Sequence, residues 1–467
     1  MQKPEPTTSP LGGPKRSIDH KDESPAAKCR KVECRHRPHI NPMDRQMLAQ
    51  LYRSQLALLK SNSRDIQSKM AMFEPPPKPT NPIGLHRILS PTASVKVSPI
   101  CLGGISIGSS WSSAFGKNDE PFDLLDAYYQ MGGNFIDTSN TYCSEDSERL
   151  IGDWMHQRGI RDQMVIATKY SAGYKAYDRT NIPLQSNYTG NSAKSMHVSV
   201  RDSLHKLKTD YIDILYVHWW GFDSSVEEVM MHLHALVKAR QVLYLGVSDT
   251  PAWIVVKANA YARQHGLTPF SVYQGKWNVA FRDMEAEIIP MCQDQGMAIV
   301  PWAALGGGAL LTSAEKKEAQ DRGRNRSLEW LSERSAQISK VVEQIAAENW
   351  TTSQAVLLAY LFQQSKFVFP IVGVQTVAHV KAMPEALKIR LSEPELKRLR
   401  DASPFDPLFP MSFLFQEQPY DVRRISAANN HQYQMAAWLS DPVEAVASLD
   451  QGFEHIKKEL SLDDRKS

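Results

Sequence analysis

Residues 133–170 read GNFIDTSNTYCSEDSERLIGDWMHQRGIRDQMVIATKY. A short apolar run, 134–137, closes on a carboxylate, Asp137. A helix-length amphipathic stretch follows over 145–158, and a second apolar run, 164–169, closes on Lys169. Strand-sized run, helix, strand-sized run is the pattern of one βα repeat passing into the next. The alternation continues outward from about residue 83 to about residue 410. Further strands are predicted at 97–102, 211–218, 242–248, 271–276, 298–305 and 367–373, with helices over 226–240 and 328–348. Together they make eight strands, and eight β/α units over some 320 residues predict an α/β protein built as a closed (β/α)8 TIM barrel. An open doubly wound sheet is the alternative, but no GxGxxG joins the first strand to a helix.

The chain has 467 residues, 42% hydrophobic and 22% charged, an ordinary globular balance with ample material for a core. No apolar run approaches the roughly 18–20 residues of a membrane helix, and the N-terminus lacks the apolar segment of a secretory signal. Five irregularly spaced cysteines argue against a disulfide framework and fit a reducing, cytoplasmic compartment. The net charge of +3 is uneven: residues 1–40 hold nine Lys/Arg against five Asp/Glu. The body therefore offers no bulk-charge case for nucleic acid or membrane partners.

Residues 1–75 read as a disordered or partly helical extension, with helical spacing of Met47, Leu51, Leu58 and Leu59 within 43–72. Lys15-Arg16 followed by Lys28-Cys29-Arg30-Lys31 has the form of a two-part nuclear-import signal, although such clusters are common in unstructured tails. Cys29, Cys34, His36 and His39 are too compressed for a zinc site, so no metal is expected. The polyproline stretch 74–79 ends the extension, residues 76–415 form the barrel, and 416–467 read as a C-terminal tail with one short helix.

On such a barrel the C-terminal strand ends form the active face. Those ends carry Asp137, Lys169, His218, Ser248-Asp249, Gln274 and Trp302, with Tyr142 five residues past Asp137. Taken singly, each has a bland reading: a turn residue, a solvated lysine, a satisfied core histidine, a packing tryptophan. Four ionisable groups at or beside three consecutive strand ends are a chemical set.

Gly133-Asn134-Phe135-Ile136-Asp137-Thr138-Ser139-Asn140-Thr141-Tyr142, with Glu148 and Gly152 following, resembles the signature of the aldo-keto reductases. The runs 165–169, 213–218 and Leu245-Gly246-Val247-Ser248 resemble it too. His218-Trp219-Trp220, GVSDTPAW at 246–253 and FSVYQGKWN at 270–278 are especially similar to the fungal aryl-alcohol dehydrogenase and norsolorinic acid reductase branch. The resemblance spans about residues 83–415. It implies Tyr142 as the general acid of carbonyl reduction, Lys169 as the cation that eases its ionisation, Asp137 as the partner of Lys169, and His218 as donor to the substrate carbonyl.

It further implies a nicotinamide cofactor, with Asp137, Ser248, Asp249 and Gln274 around the nicotinamide and Trp302 stacked on its ring. Ala303, Leu305, Gly307 and Gly308 would bring the backbone to the pyrophosphate. Strand eight departs from the family pattern. Where relatives carry a cationic clamp for the 2′-phosphate, this chain has Gly373, Gln375, Thr376 and His379, with Met383 in the usual Asn position. NADP(H) is the expected cofactor, with NAD(H) left open and Lys381 as a compensating cation. Trp111, Trp219, Trp220 and Trp253 suggest an aromatic rim for a small aromatic carbonyl substrate, an aryl aldehyde or polyketide ketone. The long polar loop 172–191 has the length of a lid. A nucleotide-binding regulatory subunit on the same barrel is the alternative function, and the oligomeric state is open.

Overall fold

A computed structural model of the chain describes residues 47, 50–55, 75–310, 312, 317, 321 and 333–441. The basic clusters, the Cys29–His39 group and the end of the tail lie outside these residues. The chain divides into two compact units, Met1–Pro77 and Lys78–Ser467. In the first, Met47 and 50–55 are helical, within the stretch whose spacing predicts a helix.

The second unit is a parallel barrel. Its strands are β3 (Cys101–Gly103), β4 (Phe135–Asp137), β5 (Val165–Tyr170), β6 (Ile212–Val217), β7 (Val242–Ser248), β8 (Val272–Lys276), β9 (Ala298–Trp302) and β10 (Ile371–Gly373). They pair in the order β10-β3-β4-β5-β6-β7-β8-β9. The ring closes where Ile299 exchanges hydrogen bonds with residues 367 and 369, at 2.8 and 2.9 Å, around a parallel bridge from Ile299 to Val368. Helices α1 (Pro121–Gln130), α2 (Asp146–Arg158), α3 (Ala193–Lys206), α4 (Val226–Lys238), α5 (Ala252–Gln264), α6 (Ile288–Gln295), α7 (Glu333–Glu348), α8 (Ser353–Phe362), α9 (Val377–Ala382) and α10 (Glu393–Ala402) follow along the chain. Strands β5 and β6 are buried at every position, as expected when one face meets the barrel interior and the other meets helices.

The first strand differs from its predicted span. Residues 97–102 are split between an antiparallel hairpin, β1 (Arg87–Ser90) with β2 (Ala93–Val97), and the barrel strand β3. The break falls at Ser98-Pro99. Proline has no N–H to give a ladder, and Ser98 is taken by Asn134, whose Oδ1 accepts from the Ser98 amide at 2.8 Å. The hairpin buries Leu89, Ala93 and Val97 against Cys101, Phe135, Val165, Val272 and Ala298, the residues that begin the strands. It plugs the N-terminal end of the barrel.

The segment after 415 is no simple appendage. Tyr420 and Val422 are buried, and Asp421 lies 3.3 Å from Arg400 and 2.6 Å from Arg423. Arg282 donates to the carbonyls of Tyr420 (2.7 Å) and Ser403 (3.0 Å) while bridging Glu285 at 2.6 Å. A buried guanidinium needs such partners, and they recruit the chain around Tyr420 into the body. Among the described residues no helix is long and apolar enough to cross a membrane.

Candidate active site

Parallel pairing fixes the candidate side chains before any loop is considered. Asp137 ends β4 and pairs with Ala167; Lys169 lies two residues further along β5 and pairs with Tyr216 of β6, with His218 just beyond that strand. These residues therefore share one end of the ring. Lys169 Nζ is fully buried and lies 2.6 Å from Asp137 Oδ2, 2.7 Å from the Thr138 carbonyl and 3.2 Å from the Tyr142 hydroxyl. Gln274 reaches across from β8 and donates to Asp137 Oδ1 at 2.8 Å, so both carboxylate oxygens are satisfied. Burial alone would neutralise Lys169, but Asp137 and Tyr142 outweigh it and hold the ammonium above its usual value. Burial pushes the Tyr142 phenol up, and Lys169 works against that.

Tyr142 is carried by a strained turn. Cys143, Ser144 and Glu145 have φ of 50°, 54° and 79°, three successive side-chain-bearing residues in the left-handed region. Each such residue costs on the order of 1 kcal/mol or more and persists only where its surroundings over-determine it.

His218 lies edge-on to Tyr142, ring centroids 6.0 Å apart, with Trp219 against its other side at 4.6 Å. Burial first, and then Lys169, depress the imidazole well below its ordinary value, so the ring is neutral at pH 7. The Ser139 hydroxyl, which donates to Asn140 Oδ1 at 3.4 Å, also lies 3.4 Å from Nδ1. The depressed value has a stability consequence. Below about pH 6.5 the unfolded chain protonates this histidine and the native chain does not, so stability falls with pH from there down to the native value. The slope reaches at most about 1.4 kcal/mol per pH unit. Melting curves from about pH 7 to about pH 5 should fall less steeply for His218→Asn than for the unmodified protein, and equal slopes would contradict the burial of a neutral ring.

On the other side of the face, Ser248 ends β7, and Trp302 of β9 donates its indole N–H to both Asp249 oxygens at 3.1 and 3.2 Å. Gly306, Gly307 and Gly308 have φ of 79°, 63° and 105°, a backbone path open to glycine. Ala303 and Leu305 frame that loop, Ala303 itself at φ 52°. A Cβ added at Gly373 would meet nothing within 4 Å. This half of the face thus gathers the buried Ser248 hydroxyl and the Trp302 indole on the Asp249 carboxylate, beside bare glycine backbone. Hydroxyl and amide donors suit an uncharged carboxamide, and bare N–H groups suit a diphosphate.

Two expected site residues are elsewhere. Trp220 is 9% exposed and packs in the main core, because the chain turns inward after Trp219; it is no part of the rim. Gln375 is also buried: its amide donates to the Phe115 carbonyl at 2.5 Å, and Thr376 caps α9 by accepting from the His379 amide at 3.1 Å. Gln375 and Thr376 are spent on the fold, while His379 of α9 is exposed and accepts from the Gln375 backbone amide at 3.4 Å. Of the other tryptophans, Trp111 lies edge-on to Tyr142 at 6.2 Å and stacks with Phe115 at 6.2 Å, while Trp253 is 63% exposed at the start of α5.

Ser139 and Glu145, which the motif reading passed over, make contacts of their own here. Neither has a signal in spacing, since each acts through a neighbour brought up by folding. Asn191 is a third case: it donates to Ser171 Oγ (2.8 Å) and the Trp219 carbonyl (2.9 Å) and accepts from the Gly221 amide (2.6 Å). It staples the loop 172–191 to the segment that follows His218.

Comparison with known proteins identifies the family. Residues 99–404 match the aldo/keto reductase family. Norsolorinic acid reductase A of Aspergillus parasiticus is 47% identical over 350 residues, 74% of this chain and 88% of the relative. Aryl-alcohol dehydrogenase [NADP(+)] of Phanerodontia chrysosporium is 49% identical over 364 residues, 76% of this chain and 94% of the relative. The aldo-keto reductase ausK of Emericella nidulans is 45% identical over 347 residues, 73% and 87%. With a tyrosine, a lysine and an aspartate joined at one end of an eight-stranded ring, this chain belongs to the aldo/keto reductase family and is an oxidoreductase.

Proposed function

We propose that the protein reduces a flat aryl aldehyde or aryl ketone to the alcohol with NADPH, or runs the reverse oxidation with NADP+. The observation that carries this reading is the Asp137–Lys169–Tyr142 chain, at 2.6 and 3.2 Å, its ion pair buried and its half-buried phenol facing a neutral His218 under aromatic walls. A nicotinamide held here would supply the hydride that the carbonyl carbon needs. Tyr142 gives its phenolic proton to the carbonyl oxygen, and the Lys169 ammonium favours the phenolate left behind. Asp137 keeps Lys169 charged and aimed, and Gln274 holds Asp137. His218 donates from Nε2 to the same oxygen, which orients the carbonyl and stabilises charge as it develops. Ser248, Asp249 and Trp302 would hold the nicotinamide end, and the Gly306–Gly308 backbone the pyrophosphate.

The aryl preference rests on Trp111, Phe115 and Trp219 around Tyr142 and His218, and on the names of the relatives. Each aromatic contact contributes about 0.5–1.5 kcal/mol beyond area burial, so two make an aryl aldehyde about five- to over a hundredfold better than an aliphatic one of equal size. The preference for NADPH rests on the NADP(+) named for one relative and on exposed Lys381. The margin over NADH should be narrow, because Gln375 and Thr376 face inward and each absent charge-assisted bond forfeits about 1.5–3 kcal/mol. Nucleotide consumption with paired aryl and aliphatic aldehydes, run with NADPH and NADH, tests both points. Equal kcat/KM for the two aldehydes would refute the aryl reading, and tighter NADH would refute the cofactor assignment.

A further inference from the structure

We propose that Glu145 is a positioning residue: its buried carboxylate anchors the strained turn that presents Tyr142 and ties that turn to the loop 172–191. The inference rests on Tyr142 being the proton donor. Glu145 lies three residues beyond Tyr142 and closes the run of positive φ angles at 143, 144 and 145. The left-handed region is suited to glycine and not to side chains of this kind; within the turn the Ser144 amide donates to the Thr141 carbonyl at 3.2 Å and the Asp146 amide to the Cys143 carbonyl at 3.1 Å. The side-chain hold on Glu145 comes from outside. Glu145 is 1% exposed; its Oε1 accepts from Lys175 Nζ at 2.6 Å and the Tyr177 hydroxyl at 2.7 Å, and its Oε2 accepts from Lys206 Nζ at 2.9 Å.

Those three donors belong to two other parts of the fold. Lys206 ends α3 and also reaches Glu148 at 2.7 Å and the Asn140 carbonyl at 3.2 Å, so it grips the segment on both sides of Tyr142. Lys175 and Tyr177 belong to the long loop after β5. Glu148 accepts from the hydroxyl of Thr168 at 2.5 Å, and Thr168 is the neighbour of Lys169 on β5. The bed that holds the turn is thereby continuous with the strand that holds the ammonium. Burial works against a charged Glu145, but Lys206, Lys175 and Tyr177 prevail and keep the carboxyl below its ordinary value. A charged, fully engaged anchor resists relaxation of the turn. Were it lost, the turn could return to ordinary backbone angles and carry the Tyr142 hydroxyl away from Lys169.

The test uses the full-length protein and five variants, each measured for kcat, KM, NADPH affinity by fluorescence titration, and melting temperature. Glu145→Ala should lower kcat about ten- to a hundredfold, the scale of an ångström-level misplacement, with KM and NADPH affinity within about threefold. Glu145→Gln keeps an oxygen acceptor for Lys175 and Tyr177 and should retain at least about a third of kcat. Adding Ser144→Gly to Glu145→Ala should recover about half of the loss on a logarithmic scale, because glycine holds positive φ without an anchor. Unchanged kcat in Glu145→Ala overturns the proposal. So does a loss of kcat matched by losses of NADPH affinity and melting temperature that Ser144→Gly does not repair. Should Glu145→Ala fail to fold, Lys175→Met/Tyr177→Phe decides: it leaves Lys206 on the carboxylate and should lower kcat about threefold or more, and an unchanged kcat overturns the proposal. Tyr142→Phe separates the two readings. If it keeps full kcat, the proton-donor assignment fails; if it is inactive while Glu145→Ala is not, only the anchor fails.

Discussion

Tyr142→Phe is expected to lower kcat for carbonyl reduction by about 10²–10⁴-fold, the usual contribution of a positioned general acid, while NADPH affinity stays within about twofold. The substitution removes one oxygen from a ring otherwise fixed by Trp111 and His218 at 6.2 and 6.0 Å. It leaves untouched Ser248, Trp302 and the glycine loop, to which cofactor binding is assigned. Lys169 loses one of its three hydrogen-bond partners and keeps Asp137 and the Thr138 carbonyl, so the buried charge stays paired and the fold survives. The check is steady-state kinetics beside a nucleotide titration. Retention of more than about a tenth of kcat would remove Tyr142 from the role of acid.

Glu285→Ala should be the most damaging change away from the chemistry, with a stability loss of about 3–5 kcal/mol. Arg282 is 2% exposed and Glu285 fully buried. The pair meets at 2.6 Å, and Trp277 and Tyr360 also donate to Glu285 Oε1 at 3.1 and 3.3 Å. Removing the carboxylate strands a guanidinium in the interior and leaves two further donors unmatched. The segment around Tyr420, tied down through the same guanidinium, should loosen with it. Melting should occur on the order of 10 °C lower, and proteolysis should begin near residue 420. A shift under about 2 °C would show that Arg282 finds other partners. Arg282→Met/Glu285→Leu should be milder than the single change, because no unpaired charge remains.

The barrel was legible because its evidence is repeated. Eight apolar runs alternating with helix-length stretches tolerate an error in any one of them, and the strand ends then order the face. Asp137, Lys169 and His218 could be read because each sits at or next to the last residue of a strand, where parallel pairing alone decides position. The reading failed where a side chain's direction depends on a distant contact. Trp220 adjoins Trp219 in sequence, yet one is core and the other rim. Gln375 looked available for a phosphate until the Phe115 carbonyl, 260 positions away, claimed its amide. The hairpin at 87–97 was masked by Ser98-Pro99, whose interruption becomes visible once Asn134 is seen to occupy the serine. Glu145 follows the same rule, since its meaning lies in Lys206 and Lys175, which only the folded chain brings near.

The closure of the ring divides it into two mechanical regimes. Strands β5, β6 and β7 are joined by long ladders, four residue pairs between the first two and five between the next. Between β9 and β10, which carry the Trp302 and Gly373 loops, the described pairing is the isolated bridge from Ile299 to Val368, a residue that precedes β10 itself. The Trp302 and Gly373 loops flank that seam, whereas Lys169 and His218 ride on the long-laddered arc. If the nucleotide binds as proposed, its diphosphate end meets a thinly paired part of the sheet and the proton relay a firmly paired part, so its arrival would disturb the relay's alignment least.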